Sequence, residues 1–204
     1  YRDTFQVVVA ELGDNATIES VLIPSNGRTT LCVSSQVGCA MGCTFCMTGK
    51  MGFTRNLTTS EIVWQVWAAR FLLHQSPDNV VFMGMGEPLD NFENVVQAIR
   101  VISSQQGLDM AHRHIAISTA GHADGIRQLG SLNLRNLRLA FSINTAHDAL
   151  RNEIMPINRK YPLARLGDEL RRYPLPKRGV IFVEYVLIAG VNDTRDDAQA
   201  LARY

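Results

Sequence analysis

Val80-Val-Phe-Met-Gly-Met-Gly-Glu-Pro-Leu-Asp-Asn-Phe-Glu-Asn-Val-Val-Gln-Ala-Ile-Arg-Val-Ile102 changes its hydrophobic period half-way, and that change decides the fold. Val80-Val-Phe-Met83 is a short apolar run of β-branched and aromatic residues, the signature of a buried strand. After the turn signals Gly84, Gly86 and Pro88, Asn91 stands where a helix cap belongs. Val95, Val96, Ile99 and Ile102 then fall on one helical face. His114-Ile-Ala-Ile-Ser118 follows as a second run of strand type. Strand, helix and strand in that order describe two parallel strands joined by a crossover.

The alternation continues on both sides. Leu137-Arg-Leu-Ala-Phe-Ser142 and Val180-Ile-Phe-Val-Glu-Tyr-Val-Leu-Ile188 read as further strands, and Thr29 to Ser34 as the first. Thr58-Thr-Ser-Glu61 has the form of a capping box and opens a helix whose apolar face is Ile62, Val63, Val66, Trp67 and Phe71. Five strands with crossovers predict an α/β fold: a parallel sheet curved into a partial or complete barrel. Residues 1–24 are expected to be an N-terminal β segment leading into the barrel, and residues 25–204 the core domain. In such folds chemistry sits at the carboxyl ends of the strands.

Two motifs land on that end. Cys39, Cys43 and Cys46 follow the first strand in C-x3-C-x2-C spacing. Thiolates select zinc, Cu(I) or iron-sulfur clusters, and a structural zinc site wants four protein ligands. A [4Fe-4S] cube held by three cysteines instead leaves one iron open to a substrate or cofactor. Gly38 and Gly42 permit unusual dihedrals around so bulky a core, and Phe45 is placed to shield it from water. Buried free thiols, a disulfide, or a zinc knuckle completed by one of the five histidines are the other readings of the same residues. Gly84-Met-Gly-Glu-Pro88 follows the second strand. Its glycines allow close backbone approach and Glu87 can bind an ammonium group, although Gly and Pro after a strand also simply make a turn.

Composition bounds the rest. The chain has 204 residues, 46% of them hydrophobic and 19% charged, with a formal net charge of +1. That suffices for one core of ordinary size. No apolar run approaches the ~20 residues of a membrane span, and Tyr1-Arg-Asp-Thr-Phe5 has no signal-peptide pattern, so a cytoplasmic protein that does not engage a membrane is expected. Three of the four cysteines crowd into eight positions, which suits a reducing compartment better than disulfides. Residues 151–178 hold eight Arg or Lys against three Asp or Glu. Arg159, Lys160, Arg165, Arg171, Arg172, Lys177 and Arg178 are therefore candidate phosphate contacts, or else a solvated helix face.

A C-x3-C-x-Phe-C run after the first strand and a Gly-Glu segment after the second resemble the radical S-adenosylmethionine (SAM) superfamily. Leu31-Cys-Val-Ser-Ser-Gln-Val-Gly-Cys39, Gly52-Phe-Thr-Arg-Asn-Leu57, Val81-Phe-Met-Gly-Met-Gly-Glu-Pro88 and Met155-Pro-Ile-Asn-Arg-Lys-Tyr161 resemble, more narrowly, its RlmN/Cfr family of RNA adenine methyltransferases. The resemblance implies a [4Fe-4S] cluster on Cys39, Cys43 and Cys46, with SAM chelating the open iron. It implies that Gly86 and Glu87 hold the SAM amino group, and that Ser118 and the segment Ser142, Ile143, Asn144 contact SAM. Asn144 departs from the Ser-Leu-His form of several relatives.

By the same resemblance Cys32 is the residue that removes a proton from the adenine carbon being methylated, as a thiolate populated near the cationic cofactors. Glu19 falls where the family places an acid-base carboxylate; in sequence it is one polar residue of an amphipathic strand. The implied substrates are 23S rRNA and tRNA, methylated at adenine carbon 2 through a 5′-deoxyadenosyl radical and a methyl-cysteine, with a flavodoxin or ferredoxin as electron donor and a monomeric enzyme. A carbon-8 enzyme of Cfr type, a radical SAM activase or peptide-modifying enzyme, and a non-catalytic zinc or iron-sulfur protein are the alternatives. The resemblance implies a (β/α)6 barrel, of which the five strands make a partial one lacking the last βα unit; the methyl-carrying cysteine of the family lies near the C-terminus, and no cysteine follows Cys46. The chain is thus expected to be a core fragment that binds cluster and SAM without methylating RNA by itself.

Overall fold

The computed structural model describes residues 5–132 and 134–204. Its centre is an open seven-stranded sheet in the order β1 (Gln6–Glu11), β2 (Thr17–Ser25), β3 (Arg28–Cys32), β6 (Asn79–Phe82), β7 (Ile115–Thr119), β8 (Arg138–Ser142), β9 (Phe182–Glu184). The last five strands are parallel, as the alternating pattern predicts, and β1 and β2 add an antiparallel edge. Asn26 and Gly27 turn β2 into β3 with φ of 49° and 74°. Two consecutive positive φ values are what a tight hairpin with right-handed strand twist requires, and Asn-Gly is the pair that adopts them most readily.

Register divides the sheet into two faces. Leu22, Leu31, Val80 and Ile115 are aligned across four strands and wholly buried, as are Phe82, Ile117 and Leu139 further along. Against this face pack the apolar stripes of α2 (Thr59–Phe71), α3 (Phe92–Ser103), α4 (Ala123–Gly130) and α6 (Leu163–Arg172). The opposite face carries Val21, Cys32, Val81 and Ala116 in one row, with Ser118, Ser142 and Glu184 nearer the carboxyl ends. This second face looks into the cleft described below.

The final strand is shorter than its sequence suggests, three residues instead of the nine from Val180 to Ile188. The reason lies in its hydrogen bonds. Beyond Glu184 the backbone is bonded to side chains rather than to a ladder: Val186 N–H donates to Asn144 Oδ1, Ile188 N–H to Asn192 Oδ1, and Asn192 Nδ2 donates to the Val186 carbonyl. Two asparagines thus take over the pairing that would have extended the strand.

Candidate active site

The three clustered cysteines occupy a loop tied at its base. β4 (Gln36–Gly38) and β5 (Phe53–Asn56) form a two-stranded antiparallel sheet that clamps residues 39–52, and Cys39 N–H donates to the Gly52 carbonyl at 2.8 Å. Gly38 and Gly42 have φ of +76° and +64°, the conformational freedom expected of them. Thr44 N–H donates to the Ile154 carbonyl at 3.0 Å, and Cys43 packs with Ile154 and Met155 in a small apolar cluster that Phe45 borders. The loop is therefore held from below by the end of α5 (Asp148–Ile154). Cys46 ends it and starts the short α1 (Met47–Met51).

A cleft of about 270 Å³ opens between this loop and the strand ends, lined by Cys39, Cys43, Cys46, Gly86, Glu87, Ser118, Ser142 and Asn144, with Met155, Glu184 and Val186 closing it. Among the described residues, no three His, Cys, Asp or Glu side chains converge closely enough to hold one metal ion. A tetrahedral zinc with bonds of about 2.3 Å draws its sulfurs to within about 4 Å of each other. A cluster takes one thiolate on each of three separate irons, and three cysteines on one loop supply that number of donors. Burial pushes the Cys39 thiol up to about 11 and the Cys43 thiol up to about 12, so loading a metal must displace protons from them.

Glu87 is 2% exposed. Its carboxylate accepts from the Ala120 N–H at 2.7 Å and the Leu89 N–H at 3.1 Å. Burial nevertheless raises its pKa to about 7, with the amide donors opposing. A cation placed beside it would restore the full negative charge. The two glycines of its segment are required by the chain's own packing. A Cβ on Gly84 would stand 2.7 Å from the Val33 carbonyl oxygen, and one on Gly86, at φ +98°, would stand 2.5 Å from Gln36 Cβ. That contact matters because Gln36 Oε1 accepts from the Glu87 N–H and so fixes the glutamate.

The structure adds detail to three of the expected site residues. Cys32 is buried at the carboxyl end of β3 on the cleft-facing side, but it does not line the cleft. Burial pushes its thiol up to about 11, the opposite of a populated thiolate. Ile143 is wholly buried away from the cleft. Its N–H donates to the Glu184 carbonyl and its carbonyl accepts from Arg151 Nε, which leaves no free polar group for a ligand. Asn144 lines the cleft, but its Oδ1 takes the Val186 N–H and its Nδ2 points at Met155 Sδ, 3.2 Å away. Glu19 lies on β2, exposed, on the same sheet face as Cys32 and two residues beyond Val21, which is aligned with Cys32. In the antiparallel pair that displacement runs toward the cysteine end.

Asn91 stands at the start of α3, as the spacing predicts, but its side chain makes no cap. Its Nδ2 instead donates to the Ser35 and Leu57 carbonyls, stitching α3 to the base of the cysteine loop. The basic segment is also less available than its charge count suggests. Arg151 is wholly buried, Arg165 pairs with Asp124 at 2.7 Å, and Arg171 with Asp168 at 2.6 Å. Arg159 and Lys160 are exposed, in the short segment that follows the cleft residue Met155. Met155, Glu184 and Arg151 are the site residues that sequence reasoning missed. Only the run Met155-Pro-Ile-Asn158 hinted at them.

The Radical SAM superfamily matches residues 33–202 of the chain. A protein of Geobacter sulfurreducens named dual-specificity RNA methyltransferase RlmN is 52% identical over 203 residues, covering 99% of this chain and 55% of its own length. The protein of that name from Syntrophus aciditrophicus is 47% identical over 205 residues, covering 98% and 58% respectively. The crystal structure of a radical SAM methyltransferase from Sphaerobacter thermophilus superposes with a TM-score of 0.92 at 41% identity, over 98% of this chain and 59% of that one. The chain spans about half the length of the curated relatives it matches. Cys32 and Glu19 precede the stretch that the superfamily as a whole matches. No helix of the described residues is long and apolar enough to cross a membrane.

Proposed function

The chain belongs to the radical SAM superfamily, and from that premise we propose that it is the cofactor-binding core of an RlmN-type RNA methyltransferase acting on adenine carbon 2 of 23S rRNA and tRNA. The reading is carried by one observation: the three cysteines, Glu87, Ser118, Ser142 and Asn144 line a single cleft at the carboxyl ends of the parallel strands. When bound there, a [4Fe-4S] cluster with SAM on its open iron supplies a carbon-centred radical, the chemistry an adenine carbon too electron-poor for polar methylation demands.

The protein's own contribution is placement. Cys39, Cys43 and Cys46 hold the cluster, Phe45 and Met155 keep water from it, and Glu87 holds the SAM amino group while its own charge is fixed by the Leu89 and Ala120 amides. Ser118, Ser142 and Asn144 orient the remainder of SAM. Cys32 acts as the acid-base thiol toward adenine, with Glu19 beside it on the same face. At the ordinary pKa of this buried site Cys32 holds its proton, so its thiolate forms only against a nearby positive charge. Arg159 and Lys160 reach phosphates of the RNA. Residues 25–204 form the core and residues 1–24 lead into it, in a cytoplasmic, monomeric enzyme reduced by a flavodoxin or ferredoxin.

Anaerobic reconstitution tests the reading. About four irons per chain and a SAM-dependent change in the reduced cluster's EPR spectrum are expected. Stoichiometric zinc, or iron blind to SAM, would sink it. Mass spectrometry of adenosines from cells expressing the full-length protein then separates carbon 2 from carbon 8. Loss of that product on Cys32→Ala, with SAM cleavage kept, separates this enzyme from a radical SAM activase.

A further inference from the structure

Arg151 is the largest wholly buried side chain of the protein. A buried arginine normally faces a carboxylate, because an unpaired charge in a low-dielectric interior is expensive. Among the described residues no carboxylate pairs with this one. Its guanidinium donates instead to neutral oxygens: Nε to the Ile143 carbonyl at 3.0 Å, Nη2 to the Ala120 carbonyl at 2.7 Å and the Ser142 carbonyl at 3.0 Å, Nη1 to Asn158 Oδ1 at 2.9 Å. The nearest carboxylate in this network is Asp148, one amide away, which accepts from Asn158 Nδ2 at 2.8 Å.

The acceptors have a common location. Ala120 follows β7 directly and Ser142 ends β8, so one planar fork joins the carboxyl ends of two neighbouring strands that border the cleft. Room for the fork is made by Gly121, whose φ is +111° and whose added Cβ would stand 3.1 Å from Arg151 Nη2. The helix that carries Arg151 is also the one that supports the cysteine loop through Ile154.

We propose that Arg151 is a positioning residue of the cofactor site: it locks the β7 and β8 ends in register and supplies, from the helix that supports the cysteine loop, a buried positive charge with no carboxylate bonded to it directly, favouring the reduced cluster. The inference rests on the iron-sulfur reading given above. A cluster on three thiolates gains negative charge when it takes up an electron, and a fixed cation in a poorly screened interior stabilises the more negative state. Burial lowers the Arg151 pKa only to about 10, so it stays charged at neutral pH.

Three variants of the reconstituted protein test this: Arg151→Met, which removes the charge, Arg151→Lys, which keeps the charge but not the fork, and Asp148→Asn, which removes the screening carboxylate. The readouts are the cluster midpoint by EPR-monitored redox titration, the SAM dissociation constant, and the thermal melt of each protein. Arg151→Met is expected to shift the reduction equilibrium about tenfold toward the oxidised cluster, about 59 mV for one electron. Arg151→Lys should keep the midpoint and weaken SAM binding about tenfold, and Asp148→Asn should move the midpoint the other way. A purely structural arginine would lower the melt without these opposed shifts. Folded, iron-loaded Arg151→Met with the wild-type midpoint overturns the proposal. If that variant does not fold, a wild-type midpoint in Asp148→Asn together with wild-type SAM affinity in Arg151→Lys overturns it equally. A wild-type chain that takes up no iron overturns the cofactor reading itself, and is told apart by iron analysis before any variant is compared.

Discussion

At Gly38 a side chain has nowhere to go, since its Cβ would stand 1.9 Å from the Gly52 carbonyl oxygen on a backbone at φ +76°. Gly38→Ala is therefore expected to cost about 1–3 kcal/mol from backbone strain alone, and more from opening the clamp beneath the cysteines. A lower urea midpoint together with reduced iron uptake would verify both effects. Glu87 makes a prediction of a different kind. Its folded pKa of about 7 lies above its ordinary 4.5, so the stability it contributes is fully present below pH 4.5 and is lost as pH rises through about 7. The change amounts to about 3 kcal/mol. Urea unfolding of the ligand-free protein at pH 5 and pH 8 should show it, and Glu87→Gln should flatten the difference. A wild-type protein equally stable at both values would refute the assignment. The glutamate was legible in the sequence, because it follows a strand. Its raised pKa was not, because that depends on burial, which exists only once the strand ends and the cysteine loop have packed around it.

Among the elements, α2 and α3 show how caps divide their labour. Thr58 accepts from the Glu61 N–H while the Glu61 carboxylate accepts from the Thr58 N–H, the reciprocal box its sequence announces. Thr58→Ala should cost about 1 kcal/mol. Asn91 bonds two buried carbonyls of other segments; the Ser35 carbonyl also accepts from the Leu57 N–H, so Asn91→Ala takes this partner from the Leu57 carbonyl and is expected to cost about 1–3 kcal/mol. Chemical denaturation of the two variants should rank Asn91→Ala as the more damaging; the reverse order would mean that its role is local. A sequence shows that an asparagine begins a helix. It does not show which distant carbonyls that asparagine will find, because the Ser35 and Leu57 carbonyls approach it only after the sheet and the cysteine clamp have formed.

Over the whole molecule, charge is sorted by pairing rather than by sequence count. Arg165 and Arg171 are engaged by Asp124 and Asp168, whereas Arg159 and Lys160 are exposed and in no ion pair among the described residues. If RNA is bound there, Arg159→Gln and Lys160→Gln should each flatten the salt dependence of affinity for a single-stranded RNA by about 0.7 in log–log slope. Arg165→Gln and Arg171→Gln should leave the slope near its wild-type value, and fluorescence anisotropy across a salt series distinguishes the pairs. The sequence by itself determined the parallel α/β sheet, the order of its five parallel strands and the grouping of three cysteines at one strand end. Hydrophobic period, caps and ligand spacing are local properties of the chain, and they survive without knowledge of what packs against what. Only the tertiary structure decided that Ile143 faces the core, that burial pushes the Cys32 thiol up, that the last strand is cut short by Asn144 and Asn192, and that Arg151 lies buried with no carboxylate paired to it among the described residues. Each of these depends on burial or on a partner distant in sequence, and desolvation and long-range hydrogen bonds exist only once the chain has closed on itself.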